Sequence, residues 1–134
     1  MHLKFCISVL KLKRSAEAWW LLWASNAQGQ IWLARRPTPG VWAGLFCLPV
    51  FESGAQLQAA VHALHGHGVE QQPVLLHVLT HKDLYLHPVR LQVPQTASRA
   101  MERATGQPTD AGDWFGPADW PRLGLPAPIR KLLE

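Results

Sequence analysis

A dense apolar run near the start of the chain constrains its fold more than any other feature. Residues 18–24 read Ala-Trp-Trp-Leu-Leu-Trp-Ala, which is a run of strand length, and residues 25–29 have the composition of a turn. A second apolar run at 30–34 completes the pattern of a β-hairpin. The chain has 7 tryptophans, and we expect them to supply much of the core.

An irregular loop is predicted after this hairpin. Residues 35–40 read Arg-Arg-Pro-Thr-Pro-Gly, and two prolines with a glycine are incompatible with a regular strand. We expect Trp42 to pin the loop to the core before a short apolar strand at 45–48. Arg35 and Arg36 are candidate phosphate contacts, although paired arginines at a strand end more often form a solvated face.

One amphipathic helix is predicted in the middle of the chain, ended by Gly66 and Gly68. Its apolar stripe has i, i+3, i+4 and i+7 spacing and consists of Leu57, Ala60, Val61 and Leu64. His62 and His65 lie off this stripe with no cysteine or carboxylate beside them. Solvated histidines are therefore favoured over a metal site.

A second hairpin is predicted from the aliphatic runs at 74–79 and 84–93, with a polar tip between them. Pro88 indicates that the second strand lies at a sheet edge or carries a bulge. The stretch from Pro94 to Asp113 reads as polar and irregular, and a terminal helix is expected at 129–133. Three aromatic residues that precede this helix are expected to pack the C-terminal segment on the sheet: Trp114, Phe115 and Trp120. The fold class is α+β, a sandwich around a mixed β-sheet.

Composition limits the functions open to the chain. With 134 residues, 48% of them hydrophobic and 16% charged, it is one globular domain, and no apolar run approaches the ~20 residues that span a bilayer. A net charge of +4 is compatible with a polyanionic partner. Cys6 and Cys47 form no CxxC pair, so we expect two core thiols in a reducing compartment, with a cytoplasmic location.

Two segments of the sequence resemble parts of a known protein family. Residues 32–37 (Trp-Leu-Ala-Arg-Arg-Pro), continuing through Gly-Val-Trp-Ala-Gly-Leu at 40–45, resemble the opening of the C-terminal domain of MutY-type adenine DNA glycosylases. Residues 124–133 resemble its closing segment. The resemblance implies that residues 18–134 form this C-terminal domain. Residues 1–17 are then a divergent N-terminal strand or connector, or a start-site artefact.

The resemblance implies a Nudix-like α/β/α sandwich without the catalytic metal site of Nudix hydrolases. Those enzymes carry Arg-Glu-x-x-Glu-Glu-x-Gly in the second half of the helix, where the glutamates bind magnesium. Aligning the final glycine with Gly68 places Val61 at the arginine position. The three glutamate positions are then His62, His65 and Gly66. No catalytic residue and no metal ligand are therefore expected, and hydrolysis with a rearranged metal site is the alternative.

The same resemblance implies a DNA-binding site at the tip of the second hairpin. Leu79, Thr80 and His81 stand where the family usually carries Phe-Ser-His, and Lys82 is adjacent. The implied partner is duplex DNA with 8-oxoguanine opposite adenine, bound by a monomer. The helical catalytic domain of the same polypeptide, with its iron–sulfur cluster, is the second partner, and this chain itself has no cofactor. Threonine and histidine in a turn also commonly bond only their own backbone.

Overall fold

An eight-stranded mixed sheet organises the part of the chain that the computed structural model describes, residues 14–94, 98–108 and 110–134. The strands in chain order are β1 (Ser15–Ser25), β2 (Ile31–Arg35), β3 (Phe46–Cys47), β4 (Val50–Phe51), β5 (His67–Gln71), β6 (Leu75–Val78), β7 (Lys82–Gln92) and β8 (Gly112–Phe115). The helices are α1 (Gly54–Ala63), α2 (Ser98–Thr105) and α3 (Ala127–Leu133), with a 3₁₀ turn at Trp120–Arg122.

Two long strands form the centre of the sheet. β1 and β7 each contain 11 residues and pair in parallel along their whole length, from Ser15 opposite Lys82 to Ser25 opposite Gln92. β2 and β4 pair with β1, while β5 and β6 pair with β7, all antiparallel. The predicted mixed sheet and both predicted hairpins are confirmed.

Alternate residues of β1 face two separate hydrophobic cores. Leu21 and Trp23 point to the face that α3 covers, where Ile129 is buried. Leu22 points to the opposite face, where it packs with Leu57 of α1 and with α2. Because a strand presents successive side chains to opposite faces, this alternation places helices on both sides of the sheet. The predicted α/β/α sandwich is confirmed.

The sequence predicted a sheet edge or a bulge at Pro88. The register shift in the β5–β7 pairing falls elsewhere, between His67 and Glu70, and Pro88 is not at an edge. It lies in the central strand β7, opposite Leu21 of β1. Its carbonyl accepts a hydrogen bond from the backbone N–H of Gln72, which lies between β5 and β6. In a β-strand, the nitrogen and the carbonyl of one residue point to the same side, so the nitrogen of Pro88 also faces the segment between β5 and β6. No strand hydrogen bond is needed there, and the missing N–H of proline is therefore tolerated.

The end of α1 differs from the predicted glycine stop. His65 occupies the left-handed region with φ 54°, and the N–H of Gly66 donates to the carbonyl of Val61 at 2.9 Å. Gly66 is also closely packed, because a Cβ there would lie 2.4 Å from a methyl carbon of Leu91 and 3.3 Å from the carbonyl oxygen of Val61. Gly68 lies in β5. The predicted apolar stripe is buried and His62 is exposed, as expected.

The prediction of an irregular stretch from Pro94 to Asp113 was wrong. It contains α2, whose buried residue is Met101, and the first half of β8, which pairs antiparallel with β2. The segment is polar overall and offers few apolar residues, so it reads as a loop, although its charged and apolar residues lie on opposite faces of α2. The predicted structural roles of the aromatic residues are confirmed: Trp114 packs edge-on against Trp32, and Phe115 against Phe46.

The cysteine and terminal-helix predictions have clear outcomes. Cys47 is buried, and that burial raises the pKa of its thiol to about 12, so its prediction as a core thiol is confirmed. Cys6 lies outside the described residues. The terminal helix predicted at 129–133 is α3. Within the described ranges, no helix has the length and apolar character needed to cross a membrane.

Candidate nucleic-acid interface

The β6–β7 hairpin ends in a tip, residues 79–82, which the resemblance marks as the DNA-binding site. The backbone N–H of Leu79 donates to the carbonyl of Lys82 at 2.8 Å and closes the turn. Leu79 is half-buried and packs against the core that α3 covers. Thr80 and His81 are exposed. The turn thus buries its first residue and presents the next two to solvent.

The start of β1 anchors this tip. The Arg14 guanidinium donates to the carbonyls of Leu79 and Thr80, at 3.0 Å each, and its Nε donates to Asp83 Oδ1 at 3.1 Å. The backbone N–H of Ser15 donates to the carbonyl of His81 at 3.1 Å. Three consecutive carbonyls of the tip therefore accept hydrogen bonds from Arg14 and Ser15.

This anchoring leaves polar side chains of the tip available for a ligand. Neither the Thr80 hydroxyl nor the His81 imidazole has a hydrogen-bond partner in the described part of the chain. The alternative in which these side chains bond only their own backbone does not match the structure. A threonine hydroxyl can both accept and donate, and a histidine ring carries one or two donors.

Lys82, by contrast, is already paired. Its Nζ donates to Glu17 Oε1 at 2.8 Å, and Trp19 Nε1 donates to the other oxygen of the same carboxylate at 3.0 Å. These hydrogen bonds hold the pKa of Glu17 below its ordinary value, and the bond from Lys82 has the larger effect. A phosphate at Lys82 would have to share the ammonium with this carboxylate.

The two predicted arginines occupy different surroundings. Arg36 stacks over the ring of Trp19 at 4.7 Å and lines a cleft of about 520 Å³ with Glu17 and Glu52. Its Nε is buried without a partner among the described residues. Arg35 is exposed and stacks over Phe46 at 5.1 Å. Arg36 is therefore linked to the tip through Trp19 and Glu17, and the described residues provide no such link for Arg35.

Trp42 fixes the loop between β2 and β3 beside this cleft. Its ring meets Trp19 edge-on, with centroids 5.6 Å apart, and lies 5.4 Å from the ring of His77. The residue itself adopts φ 58°, an uncommon conformation for a bulky side chain. The expectation that Trp42 pins the loop is confirmed, and its contacts place the loop over β1 and β6.

The positions aligned with the metal-binding box have no carboxylate. Val61 and His62 lie on α1, with Val61 buried and His62 exposed, whereas His65 and Gly66 follow the end of the helix. The ten residues of α1 include no aspartate or glutamate. A hard cation prefers oxygen ligands, so this helix lacks the groups that bind magnesium in the catalytic family.

The whole domain matches a family model, that of the NUDIX domain, over residues 18–134. The chain therefore belongs to the NUDIX domain family. Within a set of curated relatives, it is 22% identical over 109 residues to the adenine DNA glycosylase of Buchnera aphidicola. That match covers 80% of this chain and 29% of the relative, so the chain spans less than a third of that protein.

Solved structures share the fold. The C-terminal domain of mouse MUTYH, in its complex with human PCNA, superposes with a TM-score of 0.59 at 15% identity, covering 87% of this chain and 83% of that one. The MutT protein from Methanosarcina mazei Go1 gives 0.57 at 16% identity, covering 89% and 91%. The resemblance to a MutY-type C-terminal domain is confirmed, while the fold itself is shared with Nudix proteins of other kinds.

Sequence reasoning missed two residues of the site, Arg14 and Glu17. Both act through the parallel pairing of β1 with β7, which places Ser15 beside Lys82. A parallel pair far apart in sequence leaves no local signal in the residues themselves. The sequence hint was the presence of two charged residues, Arg14 and Glu17, in the four residues just before the apolar run at 18–24.

Proposed function

We propose that this chain is the lesion-recognition domain of an A/G-specific adenine DNA glycosylase. It reads 8-oxoguanine opposite adenine so that a separate helical domain of the same polypeptide can excise the adenine. The curated relative supports a role in DNA repair. The observation that carries the finer proposal is the anchored tip, where Thr80 and His81 present unpartnered polar groups to solvent.

The chemistry of the lesion fits a hydroxyl group. Relative to guanine, 8-oxoguanine has a carbonyl acceptor at C8, and its N7 becomes an N–H donor. The Thr80 hydroxyl can accept from that N–H while it donates to a nearby oxygen, so it replaces the serine usual in this family with only an added methyl group. A well-formed contact of this kind contributes about 1–3 kcal/mol of base discrimination.

The neighbouring residues take supporting roles in this proposal. Leu79 replaces the family's aromatic residue, and its packing against the core makes it an anchor of the turn rather than a stacking platform. His81 contacts the DNA backbone beside the lesion, and Lys82 contributes to a phosphate contact that it shares with Glu17. Such contacts fix the position on the duplex and weaken with salt.

The paired arginines complete the proposed surface. Arg36 is the stronger phosphate candidate of the two, because it lines the same cleft as Glu17, the residue that pairs with Lys82 of the tip. Arg35 contributes charge only. The proposal has the domain bind as a monomer, and its modest net charge of +4 predicts weak affinity when the catalytic domain is absent.

Hydrolysis of a nucleoside diphosphate compound remains the second candidate. Glu17 and Glu52 both line the cleft that contains Arg36, which places two carboxylates and one guanidinium around a single space. Glu17 already accepts hydrogen bonds from Lys82 and Trp19. A metal at this carboxylate would therefore compete with two existing partners.

Titration against matched duplexes tests the proposal. The wild-type chain, Thr80→Ala and Thr80→Ser are each titrated with a duplex that carries either 8-oxoguanine or guanine opposite adenine. We expect Thr80→Ala to reduce the preference for 8-oxoguanine by about fivefold or more and Thr80→Ser to retain it. Ser98→Ala, which removes an exposed hydroxyl from α2 on the other face of the sheet, is the control.

Two results would contradict the proposal. Equal loss of affinity on both duplexes would show that Thr80 does not distinguish the bases. Magnesium-dependent release of phosphate from a panel of nucleotides, abolished by Glu52→Gln, would instead support the hydrolase.

A further inference from the structure

We propose that Arg14 is a positioning residue for base recognition, which holds the backbone of the tip so that the Thr80 hydroxyl stays directed at the bound base. The inference rests on the function proposed above, because it assigns the residue that prepares the same site. It concerns a side chain that acts through Thr80 and does not itself touch the base.

The hydrogen bonds of Arg14 lie on both sides of Thr80. Nη2 donates to the carbonyl of Leu79, which belongs to the peptide group before Thr80, and Nη1 donates to the carbonyl of Thr80, in the peptide group after it. Each distance is 3.0 Å. With both flanking peptide groups held, the direction of the Cα–Cβ bond of Thr80 is fixed by the backbone.

Asp83 holds the guanidinium in place for this task. Its Oδ1 accepts from the Nε of Arg14 at 3.1 Å and also from Nη2. The carboxylate and the two carbonyls thus accept hydrogen bonds from all three nitrogens of the planar guanidinium. A lysine has the same charge but no planar array of donors, so it cannot reproduce this set of contacts.

The benefit to binding is preorganisation. A turn that is mobile in the free protein must be ordered when DNA binds, and that ordering reduces affinity. Arg14 orders the tip beforehand, and the third carbonyl, that of His81, is held by the N–H of Ser15. Loss of the arginine should therefore weaken the contact that depends most on geometry, which is the base contact.

A direct phosphate contact by Arg14 is the competing explanation, since its side chain is 36% exposed beside the tip. The two roles predict different behaviour. A phosphate contact depends on charge, so Arg14→Lys would preserve it on either duplex, and Asp83→Asn would strengthen binding to both duplexes by removing a nearby negative charge. A positioning role depends on the planar set of guanidinium donors and on its contact with Asp83, so both substitutions would reduce the preference for 8-oxoguanine.

The experiment compares wild type, Arg14→Lys and Asp83→Asn on the two duplexes over a range of salt concentrations. Arg122→Lys is the matched control, because Arg122 forms an exposed ion pair with Asp119 at 3.0 Å in another part of the domain. The ¹⁵N relaxation of the backbone amides of the tip is measured for each variant without DNA.

We expect Arg14→Lys to lower the preference for 8-oxoguanine about fivefold, to leave the slope of affinity against salt unchanged and to reduce the amide order parameters at 80–81. Arg122→Lys should change none of these. Retention of the preference, or a tip as ordered as in the wild type, would overturn the proposal.

Failure of the proposed function is separable from failure of this inference. If the wild-type chain shows no preference for 8-oxoguanine, the proposed function is wrong, and the amide relaxation alone then decides the role of Arg14. A tip loosened by Arg14→Lys still supports anchoring, and an unchanged tip refutes it.

Discussion

Replacement of Gly112 by alanine should destabilise the domain, because β8 lies directly against the fully buried ring of Trp32. A Cβ at this position would lie 2.7 Å from Cζ2 and 2.9 Å from Cε2 of Trp32, and 3.0 Å from the Cβ of Ala34. Trp32 is fully buried, and its ring packs edge-on against Trp114 with centroids 5.5 Å apart. The new methyl group therefore has to displace backbone or a large side chain.

Overpacking of this kind costs about 1–3 kcal/mol. For a domain of this size, that corresponds to a fall in Tm of roughly 3–15 °C. Circular dichroism during heating and urea titration would measure both quantities. Gly116→Ala is the matched control: the nearest atom to its added Cβ is an oxygen of Asp119 at 3.9 Å, so it should be neutral or stabilising by up to about 1 kcal/mol. Equal Tm values for the two variants would refute the placement of β8 against Trp32.

Two further predictions concern titratable groups. Hydrogen bonds from Lys82 and Trp19 hold the pKa of Glu17 below its ordinary 4.5, so its contribution to stability is present above pH 4.5 and is lost as the pH falls through the folded-state pKa. In acid urea titrations, Glu17→Gln should show a shallower decline than wild type, and identical acid limbs would contradict this. Burial raises the pKa of Cys47 to about 12, so in a Cys6→Ser background its thiol should resist alkylation at pH 8 until urea unfolds the domain. Labelling of the native protein at the rate of a free cysteine would show that Cys47 is accessible.

Local patterns of the sequence predicted those elements whose buried surface repeats regularly. The four positions of the predicted apolar stripe, three in α1 and the fourth at its C-cap Leu64, have helical spacing, and all four are buried. The turn of the first hairpin was also predicted from its residues. Asn26 is typical of turns because its side chain can bond the backbone, and here it accepts hydrogen bonds from the N–H groups of Gln28 and Gln30 at 3.0 Å. In such segments, the chemistry of neighbouring residues determines the structure without help from distant ones.

Other elements depend on partners that the sequence places far away. β8 has only four residues and is defined by its pairing with β2, and α2 is held by the burial of Met101. Pro88 predicts an edge strand or a bulge until the gap between β5 and β6 is known. In each case, tertiary contacts override a weak or misleading local preference.

The candidate site divides in the same way. The turn at the tip was predicted, because a polar segment between two aliphatic runs is a local pattern, while its role as a binding site came from the family resemblance. Arg14 and Glu17 were not, since they reach the tip only through the parallel alignment of β1 with β7. A residue that supports a site from a distant strand has no signature in sequence spacing.

The central claim is that the tip of the β6–β7 hairpin is the surface that meets the damaged base. An NMR titration of the ¹⁵N-labelled chain with the two duplexes tests it most directly. We predict that the largest amide shift changes fall at Thr80 and His81, and that they are larger with 8-oxoguanine opposite adenine than with guanine. Changes concentrated in the groove between Leu76 and Lys131, with the tip unaffected, would contradict the claim.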